Sequence, residues 1–306
     1  MADHEHSKMP VIISKAAVDR ACRFVETTAR PLDAAYLDLV LSGGASHDAR
    51  DRALGELAKF QTAEGGFAHA IEPDVRTPAP TAIATSIAFQ YLRGIDPPRD
   101  APLVKAGIDY LVRTIDRQAW VWPAIDNRVN EGPHAPWWVP DLARFRGYLL
   151  NPTAELVGYL YDHRRYVPDD VLTAVSDTVL GAVERIDRIE SAYELYCCMR
   201  LARTAGLPAH IRNVLEKHLY RSLEAVDPED EHLDLMRLVP TPSSFGYDIV
   251  KSGIARQAAR LISSQADDGG WHPTWEAWHG DAHREWRGEI TSRAIINLYA
   301  HGFAAK

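Results

Sequence analysis

The sequence predicts an all-α fold, an (α/α)6 barrel or toroid of about six helical hairpins. Three observations carry this. About twelve stretches place apolar residues at helical spacing and fall into pairs of roughly 50 residues. A Gly-Gly-aromatic turn occurs near each end of the chain, each time after one helical stretch and before another. No stretch alternates apolar and polar residues as a half-buried strand does.

Residues 1–10 open polar and mixed in charge and read as a flexible N-terminal tail, unlike a signal peptide. Residues 11–306 read as a single α/α-barrel domain. Over 12–30, Ile13, Ala16, Val18, Ala21, Cys22 and Val25 mark a first helix. Arg30-Pro31 breaks that run, and a second helix is expected over 33–41 with Asp33 as its cap. A third, over 48–60, carries Leu54, Leu57 and Phe60 on one side and delivers the first turn. Pro73, Pro78 and Pro80 keep 69–80 out of a helix.

Helices over 81–93 and 102–117 follow. Residues 118–152 form the longest irregular segment, rich in aromatic residues and proline: Trp120, Trp122, His134, Trp137, Trp138, Phe145 and Tyr148 lie within it. A long loop in a compact domain is often functional. Helical patterns resume over 153–165, 169–187, 190–205, 209–225 and 230–238. The 190–205 stretch is apolar round much of its circumference, as an inner-layer helix is. Pro240 and Pro242 break the chain before the last two helices, over 247–264 and 289–301.

The first turn is Gln61-Thr62-Ala63-Glu64-Gly65-Gly66-Phe67, and the second is Gln265-Ala266-Asp267-Asp268-Gly269-Gly270-Trp271, displaced by 204 residues. Gln, acid, Gly, Gly and aromatic hold the same relative positions, and a Thr-Ser pair (Thr85-Ser86, Thr291-Ser292) opens the helix after each. A third, degenerate copy over 116–122 lacks the glycines. The pattern resembles the QW motif of the squalene–hopene cyclase and protein prenyltransferase superfamily. The 265–271 copy matches it fully, and 61–67 has Glu for Asp and Phe for Trp. The resemblance implies helical hairpins stacked into an α/α toroid. It also implies terpene-cyclase-like chemistry, in which a buried acid protonates an alkene. The Asp-x-Asp-Asp signature of those cyclases is absent. The zinc set of the prenyltransferases is not matched by Cys197-Cys198, so zinc is not carried over.

Composition bounds the rest. The 306 residues are 46% hydrophobic and 25% charged, ordinary for a globular protein. A net charge of −8, with Lys and Arg spread along the chain, argues against nucleic acid and against a polybasic membrane anchor. No apolar run is long enough for a membrane span. Three cysteines, Cys22, Cys197 and Cys198, read as reduced thiols of a cytoplasmic protein. P-loop, nucleophile-elbow and dinucleotide glycine patterns are missing, and no cofactor is expected.

Four stretches carry chemistry. In Glu72-Pro73-Asp74 a proline stiffens two carboxylates just after the first turn; either is a candidate catalytic acid, raised in pKa by apolar surroundings or by the other. The bland alternative is a turn in which Asp74 pairs with Arg76. The aromatic loop offers Trp120, Trp122, His134, Trp137 and Trp138 to a cation or a flat ring, or else plugs one mouth of the barrel. Phe67 and His69 stand beside the acids. Between 271 and 286, Trp271, Trp275 and Trp278 suit a substrate wall or mutual packing, and His279, Asp281 and His283 would share one side of an extended loop as a metal site wants. The acidic run Asp227, Glu229, Asp230, Glu231 and Asp234 reads as a solvated helix start.

The expected function is acid-initiated carbocation chemistry on an apolar, isoprenoid-like small molecule in an aromatic-lined cavity. The first alternative is a carbohydrate-active (α/α)6-barrel enzyme, pairing Glu72 or Asp74 with Glu276, Asp281 or Glu289. The second is a non-catalytic small-molecule-binding protein.

Overall fold

A computed structural model describes residues 11–139, 149–230 and 233–304. The N-terminal tail, Phe145, Tyr148, Glu231 and His232 lie outside the described residues. Among the described residues are twelve α-helices and no β-strand. They are α1 (Lys15–Thr28), α2 (Pro31–Leu41), α3 (His47–Ala58), α4 (Ala82–Ile95), α5 (Pro102–Thr114), α6 (Thr153–Asp162), α7 (Asp169–Glu184), α8 (Ala192–Ala202), α9 (Ala209–Glu224), α10 (Leu235–Leu238), α11 (Tyr247–Ser263) and α12 (Gly280–Ala300). Side-chain oxygens of Ser14, Ser46, Thr81, Ser191 and Asp234 accept a first-turn N–H and set the starts of α1, α3, α4, α8 and α10.

Three boundaries differ from the sequence expectation. Helix α2 starts at Pro31, which fills the first helical position, where a missing N–H costs nothing. Asp33 is therefore inside the first turn and pairs with Arg30 instead of capping. Helix α10 is a single turn, not the whole of 230–238. Helix α12 begins at Gly280, capped by the His279 side chain, rather than at Glu289; its first turns are charged (Asp281, Arg284, Glu285, Arg287), so apolar spacing does not reveal them.

Helix α2 packs against α3, α4 and α12; α4 against α5 and α6; α6 against α7 and α8; α8 against α9 and α10; and α10 against α11. Helix α12 also packs against α1. The two ends of the chain meet where Ile13 N donates to Phe303 O at 2.8 Å. His301 Nε2 donates to the carbonyl of Val239, just after α10, at 2.8 Å. One apolar cluster extends from Ile13 to Ala304. A small one (Val75, Ile125, Val129) forms where the aromatic loop lies on the segment after the first turn. No described helix is long and apolar enough to cross a membrane. Cys197 and Cys198 are buried in α8, Cys22 is half-buried, and none of the three is in a disulfide.

The two Gly-Gly turns make the same bonds. Gln61 Nε2 donates to Gly65 O (2.8 Å) and to Leu103 O of α5 (2.9 Å). Gln265 Nε2 donates to Gly269 O and to Ala17 O of α1 (both 2.9 Å). Phe67 N donates to Thr85 Oγ1 (3.1 Å) and Trp271 N to Thr291 Oγ1 (3.0 Å). Gly65 and Gly269 have φ of 92° and 93°, and a Cβ on either would lie 2.5–2.6 Å from the carbonyl oxygen of Ala106 or Arg20. The acid of each turn holds an arginine in a two-pronged pair, Glu64 with Arg128 and Asp268 with Arg287.

The stretch over 116–122 makes part of the same set. Trp122 N donates to Thr153 Oγ1 (3.3 Å), and its indole N–H donates to Leu111 O (2.9 Å), as that of Trp271 does to Leu261 O (2.7 Å). The distance along the chain to the threonine also differs, 31 residues against 18 and 20.

Candidate active site

The segment 68–80 leaves the first turn in a conformation that side chains seldom adopt: His69 and Ala70 have φ of 60° and 63°. It is held from three sides. Arg30, at the cap of α2, donates to the carbonyls of Ala70 and Ile71 (2.9 Å each) while forking onto Asp33 (2.8 and 3.0 Å). Arg76 reaches α12 and forks onto Glu285 (2.5 and 3.1 Å). From the aromatic loop, Pro133 O accepts from Arg76 N (2.9 Å), and Ala135 N donates to Asp74 O (2.8 Å). The proposed Asp74–Arg76 pair does not form, because Glu285 takes the guanidinium.

This clamp buries both carboxyls: Glu72 is 6% exposed and Asp74 3%. Loss of hydration pushes Glu72 up to about 8, with Asp74 adding to the rise and Arg30 and Arg237 opposing it. Its carboxyl makes no hydrogen bond or ion pair among the described residues. Burial also raises Asp74, against the indole N–H groups of Trp286 and Trp278, which favour its charged form. These indoles influence the charge of Asp74 without closing a good bond. Asp74 Oδ1, Trp278 Nε1 and Trp286 Nε1 are all buried without a hydrogen-bond partner among the described residues.

Around the acids runs a polar belt from the helices α2, α4, α6, α8, α10 and α12. Tyr91 of α4 donates to Asp33 (2.6 Å). Glu155 of α6 accepts from Ser86, from Gln90 (3.3 Å) and from Arg200 of α8 (2.7 Å). Glu289 of α12 accepts from Arg293 through one oxygen and keeps Oε2 buried without a partner. Arg237 of α10 lies over the Tyr196 ring, 5.0 Å from its centroid.

The expected substrate residues divide. Phe67, Trp122 and Trp271 are wholly in the core and offer a ligand no surface. Trp120 is half-buried beside Arg117. His69 is exposed, and His134 is half-buried with Nδ1 3.1 Å from Gly132 O. Trp138 packs on the Val75–Ile125–Val129 cluster, and Trp137 is exposed. The aromatic loop thus lies on 68–80 as a packed cover. Trp275 and Trp278 line an open recess of about 420 Å³ with His272, His279 and His283, and Trp275 meets Trp286 edge-on at 5.2 Å.

The extended loop assumed for His279, Asp281 and His283 is not formed. His279 caps α12 and the other two are helical, so alternate positions no longer share a side. No group of three or more His, Cys, Asp or Glu side chains suited to a metal ion occurs among the described residues. In the acidic run, Glu229 pairs with Arg256 and Arg260 of α11, and Asp234 caps α10.

No family model and no curated protein matches the chain.

Sequence reasoning missed the belt. Its signal was a charge inside an otherwise apolar helical stretch. Glu155 lies among buried residues from Thr153 to Leu160, and Asp33 shares the buried side of its helix with Leu32, Leu37 and Leu39.

Proposed function

We propose that the chain is an acid–base enzyme with an (α/α)6 toroid fold, acting on a polar, hydroxyl-rich small molecule of the carbohydrate class. The toroid reading is supported by the return of α12 to α1 and α2 and by the bond from His301 to the end of α10. Gln265 adds to it, because it bonds to the first helix as Gln61 bonds to α5.

The observation that carries the catalytic reading is Glu72: a buried carboxyl, protonated below about pH 8, with no hydrogen-bond partner among the described residues. A general acid must hold its proton at working pH and be free to deliver it. Glu72 gives its proton to a leaving oxygen. Glu289, near enough to raise the pKa of Glu72, is the partner base through its unpartnered Oε2. Asp74 is the positioning residue that helps keep Glu72 protonated.

The same acid would serve the isoprenoid reading, and the Trp278 and Trp286 rings beside Asp74 favour it in part. The charged belt favours a polar substrate. A panel of aryl glycosides and prenyl diphosphates or polyenes, assayed with the full chain, separates the two. We expect turnover of a glycoside, lowered at least ~100-fold in Glu72→Gln with fold retained. Turnover of a polyene with the same loss would move the assignment to the cyclase. Turnover unchanged in Glu72→Gln would overturn both, and ligand binding without turnover would leave a binding protein.

A further inference from the structure

Arg237 stands out within the belt. Every other arginine that contacts it electrostatically has a carboxylate: Arg200 has Glu155 at 2.7 Å, and Arg293 has Glu289 and, at 3.8 Å, Asp234. Arg237 makes no salt bridge and donates no side-chain hydrogen bond among the described residues. Its guanidinium lies 5.0 Å from the centroid of the Tyr196 ring, and that of Arg200 lies 5.7 Å from the same centroid. Arg203, just after α8, likewise has no carboxylate among the described residues and donates to the carbonyl of Leu238 (2.8 Å). Arg237 is half-buried, so its guanidinium is partly stripped of water without a protein counter-charge while still open to an incoming group.

Resting on the reading above, we infer that the substrate is anionic, and that Arg237, backed by Arg200 over the shared Tyr196 ring, receives its carboxylate or phosphate group. A planar guanidinium that holds no protein carboxylate presents its N–H fork to such a group. Burial and the neighbouring charges of Arg200 and Arg293 depress the pKa of Arg237, and an incoming anion would relieve both. Glu289, whose charge acts on Arg237, is already engaged by Arg293. Glu72 is uncharged below about pH 8 and so does not repel a bound anion there.

The test is calorimetric titration of the full chain with glucuronate, glucose 6-phosphate and neutral glucose. We expect saturable binding of glucuronate or glucose 6-phosphate, at least tenfold tighter than that of glucose. The preferred probe identifies the group as carboxylate or phosphate. Arg237→Met should weaken binding at least tenfold, with Arg237→Lys recovering part of it. Glu72→Gln should bind as the wild type does, so loss of turnover in that variant with normal binding separates the catalytic reading from this one. Phenylglyoxal labelling of the wild type gives a readout that requires no variant: the anionic probe should protect Arg237. Binding of glucose as tight as that of its anionic counterparts, no binding of either anion, or Arg237 labelled equally with and without probe would overturn the inference.

Discussion

Gln265 and Ala17 lie 248 residues apart in sequence and are joined by a hydrogen bond of 2.9 Å, from the last Gly-Gly turn to the first helix. Gln61 makes the corresponding bond to Leu103 of α5, the second helix after its turn. The first helix therefore stands to the last turn as α5 stands to the first turn. Gln265→Ala and Gln61→Ala should each lower stability by about 1–3 kcal/mol, since each leaves two backbone carbonyls short of a donor. Urea denaturation midpoints measure this. A cost at Gln61 with none at Gln265 would mean that the junction of the chain ends contributes nothing.

The glycines of the turns give a steeper test. Gly65→Ala and Gly269→Ala force a Cβ into a backbone carbonyl and strain a left-handed residue, so each should cost more than about 2 kcal/mol. Gly43, at φ 77° with open space around its Cβ position, is the control. Gly43→Ala should cost only the conformational part, about 1–2 kcal/mol. Equal losses at all three sites in thermal melts would remove the steric argument.

Three threonines act as equivalent acceptors. Thr85, Thr153 and Thr291 are fully buried or nearly so, and each takes the backbone N–H of an aromatic residue. Replacement by valine keeps the shape and strands that N–H, at about 1–3 kcal/mol each. Amide hydrogen exchange should speed up at Phe67, Trp122 and Trp271 in the matching variant. If Trp122 alone does not respond to Thr153→Val, the 116–122 stretch is not a member of the set.

The pH dependence of stability follows from Glu72. Its folded pKa, about 8, is raised above an ordinary value of 4.5. The unfolded chain releases this proton as pH rises through 4.5, while the folded chain keeps it until about 8. The stabilisation is complete below pH 4.5 and is lost progressively up to pH 8, by as much as about 5 kcal/mol. Glu72→Gln should remove this fall, so the difference in denaturation midpoint between variant and wild type should grow in the variant's favour from pH 5 to pH 8. A difference that stays constant across that range would show an unshifted carboxyl. The turnover expected of the enzyme should decline above pH 8 for the same reason.

Local chemistry in the sequence determined most of the secondary structure and the two turns. Apolar spacing, serine and threonine caps, and Gly-Gly pairs are short-range signals that act within a few residues. Glu72 and Asp74 were legible as a stiff acidic pair for the same reason. Spacing could not assign the fates of the aromatic residues. Phe67, Trp122 and Trp271 pack into the apolar core and their backbone N–H groups are taken by threonines of α4, α6 and α12, whereas Trp275 and Trp278 stayed on an open recess. The start of α12 was hidden by charge at its first turns. Only the tertiary structure decided which charged side chains of α2, α4, α6, α8, α10 and α12 meet. Burial and pairing are properties of helices far apart in sequence: Glu155 meets Arg200, Arg76 meets Glu285, and Arg237 makes no salt bridge among the described residues.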